Sequence, residues 1–384
     1  MNHEVKTFLT VTAIMLTVLC KLAVPAQAQF IFNPLQNLGG GVVTAPSCAA
    51  ASSGSTFCGV VGVGGHLLLN QIDNFTSLGY TDLGGIVIGK PSCTHFGIGQ
   101  VEPQFRVLCG VIGTDSALWV IRFDGLSSSG FTSLGGISIS DPACTGISGS
   151  TKAVCVVIGT NSHLFASTTL DGVDWTAFAD LNLGGTLIFN PTCMDIGDMM
   201  GFCGAVTTDG ELRLIRFQAG SGPVSFEPNT NIITFPPTTL QTLGNALLVT
   251  GGISVPSTTR ITSDPSCAAG LRAAVVCGVR GSDSALYISQ FNGSTFSPFQ
   301  FEGGTLAAAP SCAFAVCAAR GTNSELFVIQ FLNNGITTAF TPVPGTNING
   351  DPSCTLHPNQ DLTLLMLCGV RSTDSTLWIT IGHE

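Results

Sequence analysis

The chain has 384 residues, of which 45 % are hydrophobic and only 9 % charged, against about 25 % charged in an ordinary domain. Such a composition excludes a disordered chain. Thirteen Lys and Arg against 23 Asp and Glu leave a net charge of −10, which argues against sequence-independent nucleic-acid binding and against anchoring on anionic lipid, since both need many cations.

Residues 1–28 have the pattern of a signal peptide. Lys6 supplies the positive end, residues 8–19 are mostly apolar, and Ala26-Gln27-Ala28 is an A-x-A cleavage site. The apolar stretch is too short to span a bilayer, and no later segment has 18 unbroken apolar residues. The reading is a protein without a membrane span, secreted to the extracellular space or periplasm, with residues 29–384 as its mature part. Of the 15 cysteines, Cys20 falls in the removed segment, leaving fourteen. In an oxidising compartment an even set reads as disulfides.

The remaining cysteines form seven consecutive pairs: Cys48/Cys58, Cys93/Cys109, Cys144/Cys155, Cys193/Cys203, Cys267/Cys277, Cys312/Cys317 and Cys354/Cys368. A proline stands two residues before the first member of every pair, from Pro46-Ser47-Cys48 to Pro352-Ser353-Cys354. The second member is followed by an apolar run and a turn such as Gly113-Thr114-Asp115-Ser116 or Gly321-Thr322-Asn323-Ser324. A strand with Leu and usually an aromatic follows, as in Leu118-Trp119 and Leu377-Trp378, and then a glycine pair such as Gly84-Gly85 or Gly251-Gly252. The unit is expected to hold four short strands. Strand A ends at Pro-x-Cys, strand B starts at the second Cys, strand C carries the Leu-aromatic pair, and strand D leads to Gly-Gly. Asp and Asn suit the B–C turn because they bond nearby amides and tolerate the left-handed conformation. Four antiparallel strands per 40–50 residues or so is the signature of a propeller blade.

The ends agree. Residues 30–40 supply a strand D with nothing before it, while the unit starting at Pro352 stops after strand C. The expectation is an all-β, seven-bladed propeller of four-stranded antiparallel blades, closed by its N-terminal strand. Strands A and B are neighbours, so each cysteine pair should close one local disulfide per blade. The long interval between Cys193 and Cys267 places an insertion at about residues 218–263 in blade four, with residues 246–252 returning to the repeat.

Val279-Arg280-Gly281-Ser282-Asp283-Ser284-Ala285-Leu286-Tyr287, followed by a Gly-Gly strand and Pro-x-x, resembles the repeat of the seven-bladed β-propeller lectins of the Photorhabdus lectin type. The resemblance implies recognition of fucose-like or O-methylated sugars in pockets between adjacent blades. The family's Arg before the turn is present as Arg280, Arg320 and Arg371, with Val61, Ile112, Ile158 and Val206 in earlier repeats; its Trp before Leu-Gly-Gly is matched by Phe75, Phe131 or Trp175.

Sugar recognition needs an aromatic face and polar groups for hydroxyls. The candidate ligand-binding sets are Arg280, Asp283 and Tyr287; Arg320, Asn323 and Phe327; Arg371, Asp374 and Trp378; and Asp115 with Trp119. The competing uses are turn capping for the acids, inter-blade packing for the aromatics and pairing with the turn acid for the arginines. Glycoside hydrolysis normally needs two facing carboxylates, and the acids outside the turns, among them Glu102, Asp195, Glu211 and Glu302, share no recurring constellation. His66, His95, His163, His357 and His383 lack metal-ligand spacing and read as exposed. No catalytic residue, metal or cofactor is expected. The function expected is non-catalytic binding of glycans or a cell-surface glycoconjugate, with room for an oligomer; the alternatives are an extracellular interaction scaffold and, behind it, a glycoside hydrolase.

Overall fold

The computed structural model describes residues 30–51, 55–97, 107–233, 259–270, 275–331, 337–358 and 364–383. The expected signal peptide and the Gly251-Gly252 pair lie outside these residues. Seven antiparallel sheets follow one another around a closed ring, each with its strands in the order A-B-C-D. Blade 1 comprises Ser47–Ala50, Ser55–Val61, Leu67–Asp73 and Thr76–Gly84; blade 2 comprises Val87–His95, Val107–Gly113, Leu118–Phe123 and Thr132–Gly135. Blade 7 takes strands A to C from Ser353–Pro358, Leu364–Arg371 and Leu377–His383. Its outer strand is the N-terminal segment, where Gln36 pairs with Ile379, Gly39 with Leu377 and Ile31 with His383. The chain therefore closes its own ring, as the two incomplete ends require, and covers an edge that would otherwise template aggregation.

Stacking the sheets explains the composition. Strand B is buried along its length in most blades, as in Ser55–Val61 and Val107–Gly113, because both sheet faces are covered by neighbours. The core is divided among seven inter-blade clusters. One joins Phe57 and Leu69 of blade 1 to Val111 and Phe123 of blade 2. Another joins Val60 of blade 1 to Leu367 and Ile379 of blade 7.

The seven disulfides are those expected: Cys48–Cys58, Cys93–Cys109, Cys144–Cys155, Cys193–Cys203, Cys267–Cys277, Cys312–Cys317 and Cys354–Cys368. Each connects strands A and B within a blade, with Cα atoms 4.0–4.2 Å apart. In every blade the two cysteines stand directly opposite in the register, as Cys144 does to Cys155 and Cys354 to Cys368.

The strand limits differ from expectation. Strand A begins at or before Pro-x-Cys rather than ending there. Strand B does not start at its cysteine in any blade. It starts at Ser55 before Cys58, Val107 before Cys109, Ala153 before Cys155, Met200 before Cys203, Val275 before Cys277, Val316 before Cys317 and Leu364 before Cys368. The reason is the pairing itself. Facing cysteines need ladder partners on both sides, so the A–B hairpin runs past the bridge in both directions. Proline lacks an amide hydrogen and so suits the approach to a strand. In blade 4, Leu212–Ala219 and Val224–Ile233 form strands C and D joined by a hairpin, with a register shift between Ile215 and Phe217. The extra length thus begins after Ile233 rather than at Gln218, and residues 234–258 lie outside the described residues.

The small residue between Pro and Cys has a structural use. The amides of six of the seven first cysteines donate to a hydroxyl of the preceding blade: Cys93 to Ser47, Cys144 to Ser92, Cys267 to Thr192, Cys312 to Ser266, Cys354 to Ser311 and Cys48 to Ser353, at 2.8–3.3 Å. Blade 3 has Ala143 at this position, whose methyl cannot accept. Ser47→Ala is therefore expected to cost about 1–2 kcal/mol by stranding a buried amide, and Ala143→Ser to gain up to about 1 kcal/mol; urea unfolding of both variants checks the opposite signs. The glycine after the second cysteine makes room for the next disulfide. A Cβ on Gly59, Gly110, Gly278 or Gly369 would fall 2.4–2.6 Å from the sulfur of Cys93, Cys144, Cys312 or Cys48.

Candidate functional site between blades

Two of the concave regions among the described residues recur with the repeat. The first is the axial channel, a cavity of about 480 Å³ lined by the Pro-x-Cys segments. Residues directly before these prolines bond to one another, in one run from Lys90 to Asp264 and in a separate pair. Lys90 N–H donates to Asp141 Oδ1 (3.0 Å), Asp141 N–H to Asn190 Oδ1 (2.7 Å), Asn190 N–H to Asp264 Oδ1 (2.8 Å) and Ala309 N–H to Asp351 Oδ1 (2.9 Å). Sequence reasoning missed these acids, although their recurrence directly before Pro was a readable signal. Among the described residues no group of three or more His, Cys, Asp or Glu side chains could hold a metal ion.

Burial pushes the Asp141 and Asp264 carboxyls above the ordinary range, against the backbone hydrogen bonds from Lys90 and Asn190. A raised carboxyl binds its proton more readily folded than unfolded. Its contribution is full below the unfolded pKa of about 3.9 and is lost as pH rises through the higher folded value. Asp264→Asn should abolish that loss. Subtracting the variant's pH–stability curve from that of the parent between pH 3.5 and 7 should leave a difference that becomes less favourable to the parent as pH rises; a flat difference refutes the expectation.

The second region lies where each B–C turn meets the glycine-pair connection from the preceding blade. The turn is built alike in five blades. Asp115 caps the amide of Ala117 (3.0 Å), Asn161 that of His163 (3.1 Å), Asp283 that of Ala285 (3.1 Å), Asn323 that of Glu325 (3.2 Å) and Asp374 that of Thr376 (3.1 Å). The left-handed residue is the serine that follows, Ser116, Ser162, Ser284, Ser324 or Ser375, with φ of 59–66°, and not the Asp or Asn expected. Capping requires the Asx side chain to fold back over its own turn, so the next residue absorbs the reversal.

The turn acid also meets the strand-C aromatic. Trp119 Nε1–H donates to Asp115 Oδ1 at 3.1 Å and Tyr287 Oη–H to Asp283 Oδ2 at 2.7 Å, whereas Trp378 Nε1–H donates to Thr376 Oγ1 at 2.7 Å. In blade 6, Asn323 Nδ2 donates to Glu325 Oε2 at 2.6 Å beside half-buried Phe327. The Ala117 amide and the Trp119 indole hold the Asp115 carboxyl below its ordinary range. The glycine opening the turn is required, since a Cβ on Gly113 would lie 2.6 Å from Asp115 Oδ1 and 2.7 Å from Trp119 Nε1.

The arginines do something else. Arg280 Nη2 donates to Thr262 O (2.9 Å), Arg320 Nη2 to Ala307 O (3.3 Å), and Arg371 to Asn349 O (3.1 Å) and Val43 O (2.6 Å). Each guanidinium ties the incoming connection to the turn, and among the described residues none of the three is in an ion pair. Tyr287 is fully buried against Phe301, ring centroids 5.5 Å apart, so its ring offers no open face. His66 and His163 pair with Asp82 (2.9 Å) and Asp180 (2.8 Å). His357, expected to be exposed, is buried and within 2.5 Å of Thr56 Oγ1, because strand A packs against blade 1 there.

One junction opens into a pocket of about 290 Å³, between the connection into blade 2 and the blade's own turn. It is lined by Gly85, Ile86, Val87, Gly113, Thr114, Asp115, Trp119 and Phe131. Phe131 packs over Gly85, whose positive φ and missing side chain admit the ring. Tyr80, Phe178 and Phe340 take the equivalent place over Gly40, Gly136 and Gly304. Aromatic packing over the glycine pair is thus a repeat feature, while Asp115 and Trp119 add a polar, half-open wall to one copy of it.

The chain is a seven-bladed β-propeller. No protein-family model matches it, and no curated protein is significantly similar. Among solved structures it is similar to the BP39L lectin from Burkholderia pseudomallei, at 12 % identity over 91 % of this chain and 94 % of that one, with a TM-score of 0.63. AofleA from Arthrobotrys oligospora matches at 10 % identity over 92 % and 86 %, with a TM-score of 0.50. A six-bladed fungal lectin from Aleuria aurantia, with a novel mode of fucose recognition, matches at 13 % identity over 80 % and 98 %, with a TM-score of 0.46. The first of these establishes likeness of fold.

Proposed function

We propose that this protein is an exported, non-catalytic glycan-binding propeller whose best-formed site is the blade 2 pocket. The observation that carries the reading is the meeting of Trp119, Phe131 and the Asp115 carboxylate in a cavity of about 290 Å³. An aromatic wall receives the C–H face of a sugar, and a fixed carboxylate accepts from its hydroxyls. The fold shared with a lectin propeller supports the same reading. Of the acids outside the turns, Glu211 is paired with Arg213, Asp195 is engaged by Ser148 and Glu302 by Thr337 in separate parts of the ring, whereas Asp141, Asp264 and Asp351 gather in the axial channel. In blades 6 and 7, Asn323 with Phe327 and Asp374 with Trp378 would supply weaker copies of the site, with Arg320 and Arg371 as their positioning groups.

The test is a glycan array followed by calorimetry on the best sugar. Trp119→Ala is expected to lower affinity at least tenfold, as removal of one stacked aromatic anchor does. Unchanged affinity in that variant would place the site elsewhere, and silence across fucosylated, methylated and other neutral sugars would favour the scaffold.

A further inference from the structure

On the face that carries the pocket, the connections between blades expose large apolar side chains, among the described residues, in blades 1 to 4. Val43, Ile86, Ile88, Ile137, Ile139 and Phe189 are 37–65 % exposed. All lie on the connections that lead from the glycine pairs into blades 1 to 4 or in the first residues of strand A, as Ile88 and Phe189 do. Ile86 and Ile88 flank buried Val87, and residues two apart on an extended chain point the same way. The positions of blades 5 to 7 equivalent to Ile86 and Ile88 hold Arg260, Thr262, Thr305, Ala307, Asn347 and Asn349, five of them polar and none a large apolar residue. The apolar arc is therefore not imposed by the repeat.

The arc is continuous with the pocket, because Ile86 belongs to both. The pocket's polar side-chain groups are those of Thr114 and Asp115 and the Trp119 indole N–H, and Asp115 already accepts from Ala117 and Trp119. A fully hydroxylated sugar buried here would leave hydroxyls without partners, which is costly. A ligand with one polar edge and an apolar remainder suits the lining. Asp115, with no cation among the lining residues, also disfavours an anionic ligand.

We propose that the site takes a neutral amphiphilic glycoside, with its sugar against Trp119 and Asp115 and its alkyl or acyl aglycone laid along Ile86 and Ile88. This rests on the glycan-binding reading and adds the chemistry of the ligand's far end. The test is calorimetry, below micellar concentrations, with matched methyl and octyl glycosides of fucose, galactose, glucose, mannose and N-acetylglucosamine. For the sugar that binds, the octyl form should bind at least tenfold tighter than the methyl form, since a few methylenes leave water. Ile88→Ser should bring that ratio close to one. Equal affinity of the two forms overturns the proposal and leaves the glycan reading standing, whereas no binding of either form overturns both. Ile88-dependent binding to plain phosphatidylcholine vesicles would assign the arc to a lipid surface. Self-association lost in Ile88→Ser would assign it to a second copy of the chain. Either result overturns the proposal.

Discussion

A chain that begins at Gly41 is expected not to yield a folded monomer. Residues 30–40 supply the outer strand of blade 7, and their contacts are numerous. Phe30 and Leu35 are buried in the cluster between blades 6 and 7. The Gln330 amide clasps both backbone groups of Phe30, at 2.8 and 2.6 Å. Asn33 N–H donates to Ile381 O (2.9 Å), Leu35 N–H to Pro344 O (2.8 Å), and Thr380 Oγ1 to Asn33 O (2.5 Å). Two buried apolar side chains at about 1.5–3 kcal/mol each, with several hydrogen bonds at about 1 kcal/mol, sum to roughly 10 kcal/mol. That is comparable to the whole stability of a typical domain. The exposed strand Leu377–His383 would then offer a free edge to other chains. Size-exclusion chromatography and circular dichroism of the truncated chain check this. A stable monomer with native unfolding behaviour would mean that closure is dispensable.

Refolding under reducing conditions is expected to fail. The bridges close loops with sequence separations from 5 for Cys312–Cys317 to 16 for Cys93–Cys109. In the chain-entropy account each contributes about 2–3 kcal/mol. Seven together outweigh the roughly 5–15 kcal/mol by which domains are stable. Single pairs should follow loop length: Cys93→Ala/Cys109→Ala should cost about 1 kcal/mol more than Cys312→Ala/Cys317→Ala. Chemical unfolding of the two double variants measures that order, and recovery of native fluorescence after refolding with and without a thiol tests the larger effect. The strand-B partner of every bridge is buried: Cys58, Cys109, Cys155, Cys203, Cys277, Cys317 and Cys368. A thiol added to the native protein should therefore act only as fast as the blades open.

Blade number, ring closure and all seven cysteine pairings were legible because each rests on local, repeated information. Pro-x-Cys recurs in every unit, and the A–B hairpin that joins its cysteines is short. The strand limits were less legible, since the ladder extends on either side of Cys155, Cys203, Cys277 and Cys368 and no residue type marks where it begins. The site was only partly legible. Asp115 and Trp119 were identified from their turn, and the structure places them in one pocket. The same pattern in blade 5 gives a fully buried Tyr287, because Phe301 of strand D covers its ring. The arginines bond backbone carbonyls of the incoming connection, a partner that no residue identity announces.

By itself the sequence determined the repeat, the disulfide framework and the way the ends meet, since these depend on neighbours along the chain. Only the tertiary structure decided that the blade 2 junction is open. That depends on how Gly85 and Ile86 of the incoming connection and Val87 of strand A meet Gly113, Asp115, Trp119 and Phe131 of the same blade. The hydroxyl bonds between blades and the bonds before the axial prolines were likewise decided there, because each bond crosses from one blade to another over some 40 to 75 residues or across the ring closure. Contacts of that kind arise from the angle at which sheets stack, a property of the closed ring that no single repeat carries.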